Sequence, residues 1–165
     1  MSTENAGEVH AWGIYLHGCD EARRRGDRKV GTEHVLLGLL HEDAMARVLG
    51  VDLAAARAAL DGLDRDALSA IGVGAYPEPS ATAVSRPRQP GLLEVLRQRM
   101  PMTATAKRLL EDASRGLRRR LQIPPERVLL ALCDLEHPDA AGDLLDHLGV
   151  DRSRVRSTLA QPAAG

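Results

Sequence analysis

The stretch that decides the fold runs from Val30 to Leu40 and reads VGTEHVLLGLL. Its second half is almost wholly apolar, which is typical of a short helix that is buried on every side in the middle of a bundle. Its first half, GTEH, is polar and turn-like. The stretch therefore predicts a buried helix over residues 32–41. It leaves open whether the polar residues only begin that helix or also bind a ligand.

A second copy of this pattern lies further along the chain. Val30–Leu60 matches Ile123–Leu159, which reads IPPERVLLALCDLEHPDAAGDLLDHLGVDRSRVRSTL. The offset between the copies is 93 residues at their first positions and 99 residues where the motif LGVD recurs, at Leu49 and Leu148, so the second copy carries a six-residue expansion. A pattern that recurs in this way indicates a duplicated structural unit.

Each unit is predicted to contain four helices, because apolar residues recur at helical spacing, Thr103, Asp52 and Asp151 are suited to begin helices as N-caps, and Gly50 and Gly149 are suited to end them. The predicted helices cover about 8–25, 32–41, 43–49 and 52–60 in the first unit, and 103–120, 125–136, 138–148 and 151–160 in the second, with extra helical turns at 64–70 and 91–99. No segment has a convincing strand pattern. The prediction is an all-α protein in which the two units pack as one helical bundle.

The domain boundaries follow from composition. Residues 72–90 carry four prolines together with glycine, serine and threonine, and they have no apolar period, which is typical of a linker. The predicted domains are a first unit over 8–71, this linker, a second unit over 91–160 and a tail over 161–165.

Composition excludes several classes of function. Apolar residues make up 44% of the chain but aromatic residues only 2%, so the core must be built from leucine, alanine and valine. Stacking platforms for single-stranded nucleic acid need aromatic rings, and a net charge of −1 provides no basic field for nucleic acid or an anionic membrane. We find no transmembrane segment and no signal peptide, so we expect a cytoplasmic protein. Cys19 and Cys133 are expected to be small buried residues and not a disulfide pair.

The segments GTEHVLLGLLHED, VLGVDLAAARAAL and MTATAKRLLEDAS together resemble the duplicated N-terminal (repeat) domain of Clp ATPases, with the ClpC branch nearest. In that family the domain is a non-catalytic module that recruits substrates and adaptors for the ATPase. The resemblance also implies recognition of arginine-phosphorylated proteins and of cyclic-peptide antibiotics. No cofactor and no enzymatic activity are implied for this domain.

Two features depart from the family pattern. The 165 residues contain no G-x-x-x-x-G-K-[ST] phosphate loop, so we expect a stand-alone repeat-domain protein that cannot hydrolyse ATP by itself. The aromatic residue that the family places before the first helix is also missing. Gly7-Glu8 and Met102-Thr103 stand there instead, and this argues against an antibiotic pocket.

Thr32, Glu33 and His34 are the first candidate binding residues. If Thr32 caps the helix, the remaining N–H groups of the first turn and the positive end of the helix dipole form a natural anion site. Glu33 lies beside them with no basic residue one turn later. A phosphate could meet the helix end and a guanidinium could meet Glu33, which matches phosphoarginine. The alternative is that the polar residues only begin the helix, and the sequence leaves both possibilities open.

The second unit provides a weaker candidate site at Glu126 and Arg127. Pro124 and Pro125 suit a helix start, but proline has no N–H group to donate to an anion, and Pro125 replaces the hydroxyl of Thr32. Arg127 adds a positive charge that can pair with Glu126. We therefore predict an asymmetric protein in which the site at Glu33 is competent and the site at Glu126 is weak or lost.

The remaining candidates are less specific. The runs Arg23–Arg25 and Arg118–Arg120 occupy equivalent ends of the first helices, where cations suit the helix dipole, and we expect them to be solvated caps. A DNA-binding regulator that uses the second run is the alternative function. The six histidines show no spacing typical of a metal site, so no metal is predicted, although His34, His41 and Glu42 lie near one another.

Overall fold

The structure is a computed structural model, and it describes residues 11–73, 99–117 and 123–161. Eight α-helices occupy these residues: α1 (Ala11–Arg25), α2 (Thr32–Leu39), α3 (Asp43–Leu49), α4 (Leu53–Ala70), α5 (Ala104–Ala113), α6 (Pro125–Cys133), α7 (Ala140–His147) and α8 (Arg152–Ala160). The described residues contain no strand, and their only β pairing is an isolated bridge between Val30 and Met102. The all-α prediction is therefore confirmed.

One predicted break in the first unit is wrong. Residues 52–60 and 64–70 were predicted as separate helices, but α4 runs without interruption from Leu53 to Ala70. Asp52 begins it as the N-cap, since its side chain accepts a hydrogen bond from the backbone N–H of Ala55 at 2.7 Å. The intervening residues contain one glycine, Gly62, and a single glycine in a helix costs too little to end it.

The helices of the second unit are shorter than predicted. α5 ends at Ala113, and Gly116 follows with a positive φ of 78°, a conformation that an α-helix cannot continue through. α6 ends at Cys133, and α7 begins only after Asp139, whose carboxylate caps it. The predicted parts at 8–10, 91–98 and 118–120 lie outside the described residues.

α2 is the central helix. Seven of its eight residues are buried, and it packs against α1, α4, α5, α6 and α7. Because these neighbours come from both predicted units, the two units share one core. The core is built from leucine, valine and alanine with few aromatic side chains, as the composition predicts. Both cysteines are buried in it as free thiols.

α1 and α2 approach each other at two glycines. A Cβ atom added to Gly38 would overlap the carbonyl oxygen of Ile14 and lie 2.8 Å from the backbone nitrogen of Gly18. A Cβ atom added to Gly18 would lie 3.0 Å from the carbonyl oxygen of His34. The two backbones are therefore in direct contact. Ala131 holds the position of Gly38 in the second unit, so a side-chain methyl group is accommodated there.

The start of the second unit is bound to the first. The Tyr15 hydroxyl donates to the carbonyl of Met100 at 2.6 Å and accepts from its N–H at 3.0 Å. Val30 donates to the carbonyl of Pro101 and accepts from the N–H of Thr103, each at 2.9 Å. Thr103 then caps α5. These backbone contacts place α5 on the first unit.

We expect Gly38→Ala to lower the free energy of unfolding by about 1–3 kcal/mol, because the added methyl group meets backbone atoms that cannot rotate away. Gly62→Ala is the matched control. A Cβ atom there meets nothing within 4 Å, so this half-buried but open helical position should gain about 0.5–1 kcal/mol. Urea unfolding measures both changes. Equal stability of the two variants would show that the helices can move apart without cost.

Candidate functional site

The amino end of α2, residues 31–34, is organised differently from the prediction in one respect. Gly31, not Thr32, is the N-cap, with an extended backbone at φ −93° and ψ −179°. Its carbonyl accepts the first intrahelical bond, from Val35 N–H at 3.2 Å. Thr32 is therefore the first helical residue, and its hydroxyl is directed away from the amides of its own helix.

The hydroxyl of Thr32 binds the second unit. It donates to Oδ1 of Asp139 at 2.7 Å, and the Thr32 side chain is only 3% exposed. The same Asp139 oxygen accepts from the N–H groups of Ala141 at 3.0 Å and Gly142 at 3.4 Å, which are in the first turn of α7. The amino ends of α2 and α7 thus meet around one carboxylate. Asp139 lies in the part of the second unit that carries the expansion.

His34 has a structural role at this end. Its Nδ1 accepts a hydrogen bond from the N–H of Gly31 at 3.0 Å, and its Nε2 lies 3.0 Å from Oδ2 of Asp27. Because Nδ1 accepts, a neutral ring carries its proton on Nε2 and donates it to Asp27. The side chain is 1% exposed. His34 therefore satisfies the N-cap amide and offers no surface to a ligand.

Glu33 is the accessible member of the predicted trio, with a side chain that is 20% exposed. Its carboxylate folds back over Gly31, where it occupies the space that a Cβ atom would need. One carboxylate oxygen lies 3.1 Å from Nδ1 of His34. That nitrogen already accepts the Gly31 N–H, so we assign this approach as a contact and not as an ion pair. No lysine or arginine of the described residues pairs with Glu33.

The second predicted site has fewer donors. Pro124 is the N-cap of α6 and Pro125 is its first residue, so neither has an N–H group. The N–H of Arg127 donates to the carbonyl of Pro124 at 3.0 Å. The Arg127 side chain donates to the carbonyl of Arg115 at 3.0 Å, and the structure shows no pair with Glu126. Both Glu126 and Arg127 are exposed. This geometry provides fewer N–H groups for an anion than the amino end of α2 does.

A cavity of about 600 Å³ lies elsewhere, at the carboxyl end of α5. Its lining includes Arg108, Glu111, Asp112 and Arg115, and it does not include residues of the amino end of α2. The cavity is open and is lined by charges of both signs, so it has no clear preference for an anion or a cation.

The first arginine run is not simply a solvated cap, and this corrects the prediction. Arg25 is 13% exposed and binds Asp61 and Asp64 of α4 as well as Asp27, the partner of His34. Arg23 pairs with Asp20 at 3.0 Å, in agreement with a solvated position. All three arginines of the run have acidic partners. The second run, Arg118–Arg120, lies outside the described residues.

A buried carboxylate, Glu21, ties α1 to α2 and α4. It is 2% exposed and accepts from Arg24 at 3.2 Å and from Arg57 at 3.0 Å, and His41 Nε2 lies 3.0 Å from it. Burial by itself would raise the pKa of Glu21. The hydrogen bonds from His41 and Arg57, the charge of Arg57 and the hydrogen bond from Arg24 outweigh burial and lower the pKa to about 2.

His34 and His41 are already held by contacts with carboxylates. His34 contacts Asp27 and His41 contacts Glu21, so the grouping of His34, His41 and Glu42 that the sequence suggested is not assembled. Among the described residues, no three histidine, cysteine or acidic side chains are arranged to hold a metal ion. None of the described helices combines the length and the apolar character that crossing a membrane requires.

The comparisons with known proteins bear on the fold. No family model matches the sequence, and no curated protein matches it. Among solved structures, the chain is similar to the N-terminal domain of the caseinolytic protease associated chaperone ClpD from Arabidopsis thaliana. The TM-score is 0.58 at 23% identity, and the match covers 90% of this chain and 88% of that one. The chain has the fold of a Clp N-terminal domain.

Within this Clp N-terminal fold, the structural roles of three residues escaped the sequence analysis, which had considered one of them, His41, only as a metal ligand. Asp139 gave no signal, since its contact with Thr32 joins positions 107 residues apart. Gly38 and His41 could have been noticed by comparing the copies, because Ala131 and Asp134 hold their places in the second unit. A glycine and a histidine at positions where the other copy has alanine and aspartate indicate different packing.

We expect Thr32→Val to lower the free energy of unfolding by about 1–3 kcal/mol, because the isosteric change removes a buried donor from the Asp139 carboxylate. Thr158→Val is the control. Its hydroxyl donates to the carbonyl of Arg154 on the exposed face of α8, and the change should stay within about 0.5 kcal/mol. Chemical denaturation distinguishes the two. If both substitutions have the same small effect, the contact between the units contributes no stability.

Acid should weaken the fold through Glu21. Its folded pKa lies below the ordinary value of 4.5, so its contribution is complete above about pH 5 and falls by about 3 kcal/mol as the pH approaches 2. Glu21→Gln should flatten this part of the stability profile. Glu111→Gln, at an exposed carboxylate of α5, should leave the profile unchanged. Denaturant unfolding at a series of pH values measures the free energy of unfolding of the wild type and both variants. The same pH dependence in all three proteins would contradict this role of Glu21.

Proposed function

We propose that this chain is a non-catalytic protein-binding module of the Clp proteolysis and chaperone system, acting in the cytoplasm on substrates or adaptors. The observation that carries the proposal is the Clp N-terminal fold over 90% of the chain, together with Glu33, a partly exposed carboxylate at the amino end of the central helix that has no lysine or arginine partner among the described residues.

The proposed ligand class is an arginine-phosphorylated segment. Glu33 would accept the guanidinium through charge-assisted hydrogen bonds, and the amides of the first turn of α2 would face the phosphate. Thr32 and His34 would not contact the ligand, because both are buried. Thr32 is hydrogen-bonded to Asp139, and His34 is in contact with Gly31 and Asp27. They hold the amino end rigid while Glu33 makes the contact.

Asp139 limits how strongly this end can attract a phosphate. Its carboxylate already accepts the Thr32 hydroxyl and two amides of α7, so a second anion nearby meets a like charge. The contact between Glu33 and the guanidinium therefore provides the larger share of the affinity, and the phosphate provides the smaller share.

The second site at Glu126 and Arg127 is proposed to bind weakly. The two prolines have no N–H group to donate. The N–H of Arg127 already donates to the carbonyl of Pro124, and its side chain donates to the carbonyl of Arg115. Glu126 is exposed, and solvent weakens a charge pair at such a position. The protein would thus have one competent site and one weak site.

The first arginine run gives no support to the DNA-binding alternative, and the second run, Arg118–Arg120, lies outside the described residues. Duplex binding needs a face of arginines and lysines that are available to phosphates. The arginines at 23–25 pair with five acidic side chains, namely Asp20, Glu21, Asp27, Asp61 and Asp64. Nothing in the described residues supports an antibiotic pocket, so we do not include cyclic peptides among the proposed ligands.

Calorimetric titration with free phosphoarginine tests the proposal. We expect Glu33→Gln to lose about tenfold or more in affinity, because a hydrogen bond to a charged group contributes about 1.5–3 kcal/mol. Glu126→Gln is the matched control, since it makes the same change at the equivalent position of the second unit. It should alter the affinity by less than about threefold, as expected for an exposed pair.

Two outcomes would count against this function. Unchanged affinity in Glu33→Gln would remove Glu33 from the site, and absence of binding to the wild-type protein would reject phosphoarginine as the ligand. Unmodified arginine belongs in the same series. If it binds as well as phosphoarginine, the site recognises the guanidinium group and not the phosphate.

A further inference from the structure

Two histidine rings are stacked where α1 meets the end of α2. His17 is on α1, His41 follows α2, and their ring centroids are 4.2 Å apart with an angle of 7° between the planes. His17 is half-buried, and His41 is in contact with Glu21 through Nε2. This pair has no part in the proposed binding site, which lies at the opposite end of α2.

The charged surroundings of the pair are unevenly distributed. On α1, Asp20, Glu21 and Arg24 face the cluster. Arg57 reaches it from α4, and Glu42 and Asp43 lie beside His41 at the start of α3. Glu21 is the buried carboxylate, and two guanidinium groups already bind it. His41 has Glu21 as a carboxylate partner, whereas a proton on His17 would be placed next to another imidazole ring.

The direction of the pH effect follows from these contacts. Burial lowers the pKa of His17 and the neighbouring His41 lowers it further, while Asp20 and Glu21 act in the opposite direction. A folded pKa below the unfolded value means that the unfolded chain binds the proton more tightly. Any stability from the neutral ring is then present above the ordinary value of 6.5 and is lost as the pH falls below it.

We propose that the stacked pair His17 and His41 is a proton-sensitive switch at the junction of α1 and α2. With neutral rings the stack holds the turn at residues 40–42 against α1. In mild acid a proton on His17 separates the rings and loosens that turn together with the start of α3. Proton sensors of this kind depend on histidine because it titrates near neutral pH.

The second unit supports a special role for this position. Asp134 replaces His41 there, and it forms an ion pair with Arg156 at 2.8 Å. Arg156 corresponds to Arg57 in the first unit. Neither of these two residues is a histidine, the side chain that changes charge near neutral pH. We therefore expect no histidine switch of this kind at the equivalent position of the second unit.

Amide hydrogen exchange of the full chain tests the switch. The informative amides are Leu40, His41 and Glu42, which donate to the carbonyls of Leu36, Gly38 and Leu39. After correction for intrinsic rates, we expect their protection to fall between pH 7.5 and pH 5.5 in the wild type. His17→Phe keeps a ring to stack but cannot take a proton, so its protection should stay nearly constant. His147→Phe, at an exposed position of α7, should behave like the wild type.

The same fall in His17→Phe as in the wild type would overturn the proposal, as would constant protection in both. If His17→Phe does not fold, an NMR titration of the wild-type rings decides. A titration midpoint of His17 below 6.5, accompanied by shifts in the His41 ring signals, supports the switch. A midpoint at or above 6.5 overturns it.

Discussion

The backbone contact between α1 and α2 at Gly18 and Gly38 is the constraint on which the other features depend. With no room for a side chain at Gly38, α2 lies directly on α1, and this position places Val30 against the start of the second unit and Glu21 against Arg57. Both glycines would meet backbone atoms if replaced, and backbone cannot change rotamer to relieve overlap. The close contact therefore sets where both ends of α2 lie.

The two ends of the central helix carry different chemistry because different neighbours satisfy them. At the amino end, His34 accepts a hydrogen bond from the Gly31 amide and Thr32 donates one to Asp139. Glu33 is therefore the accessible charge. At the carboxyl end, His41 meets the buried carboxylate Glu21 and the ring of His17. One helix thus presents a candidate ligand site at one end and a titratable cluster at the other. They share no side chain, so each can be tested separately.

The pattern of residues predicted much of the helix content, and its errors have physical causes. α3 was predicted to the residue, since Gly50 follows it with a left-handed backbone that ends a helix. α4 was wrongly predicted as two helices, whereas it is one continuous helix whose Asp61 and Asp64 both bind Arg25. Thr32 was predicted as the N-cap, but a hydroxyl can leave its own helix when a carboxylate from another element offers a charged partner.

By itself the sequence determined the helical class, the duplicated order of helices and the buried nature of α2, because these depend on local periodicity and on the lack of aromatic and strand-forming residues. It also marked Glu33 as a carboxylate without a nearby cation. Tertiary structure decided which of Thr32, Glu33 and His34 remains accessible, and it brought Asp139 and Glu21 to their partners. Those outcomes depend on contacts between residues far apart in the chain, and such contacts leave no periodic signal in the sequence.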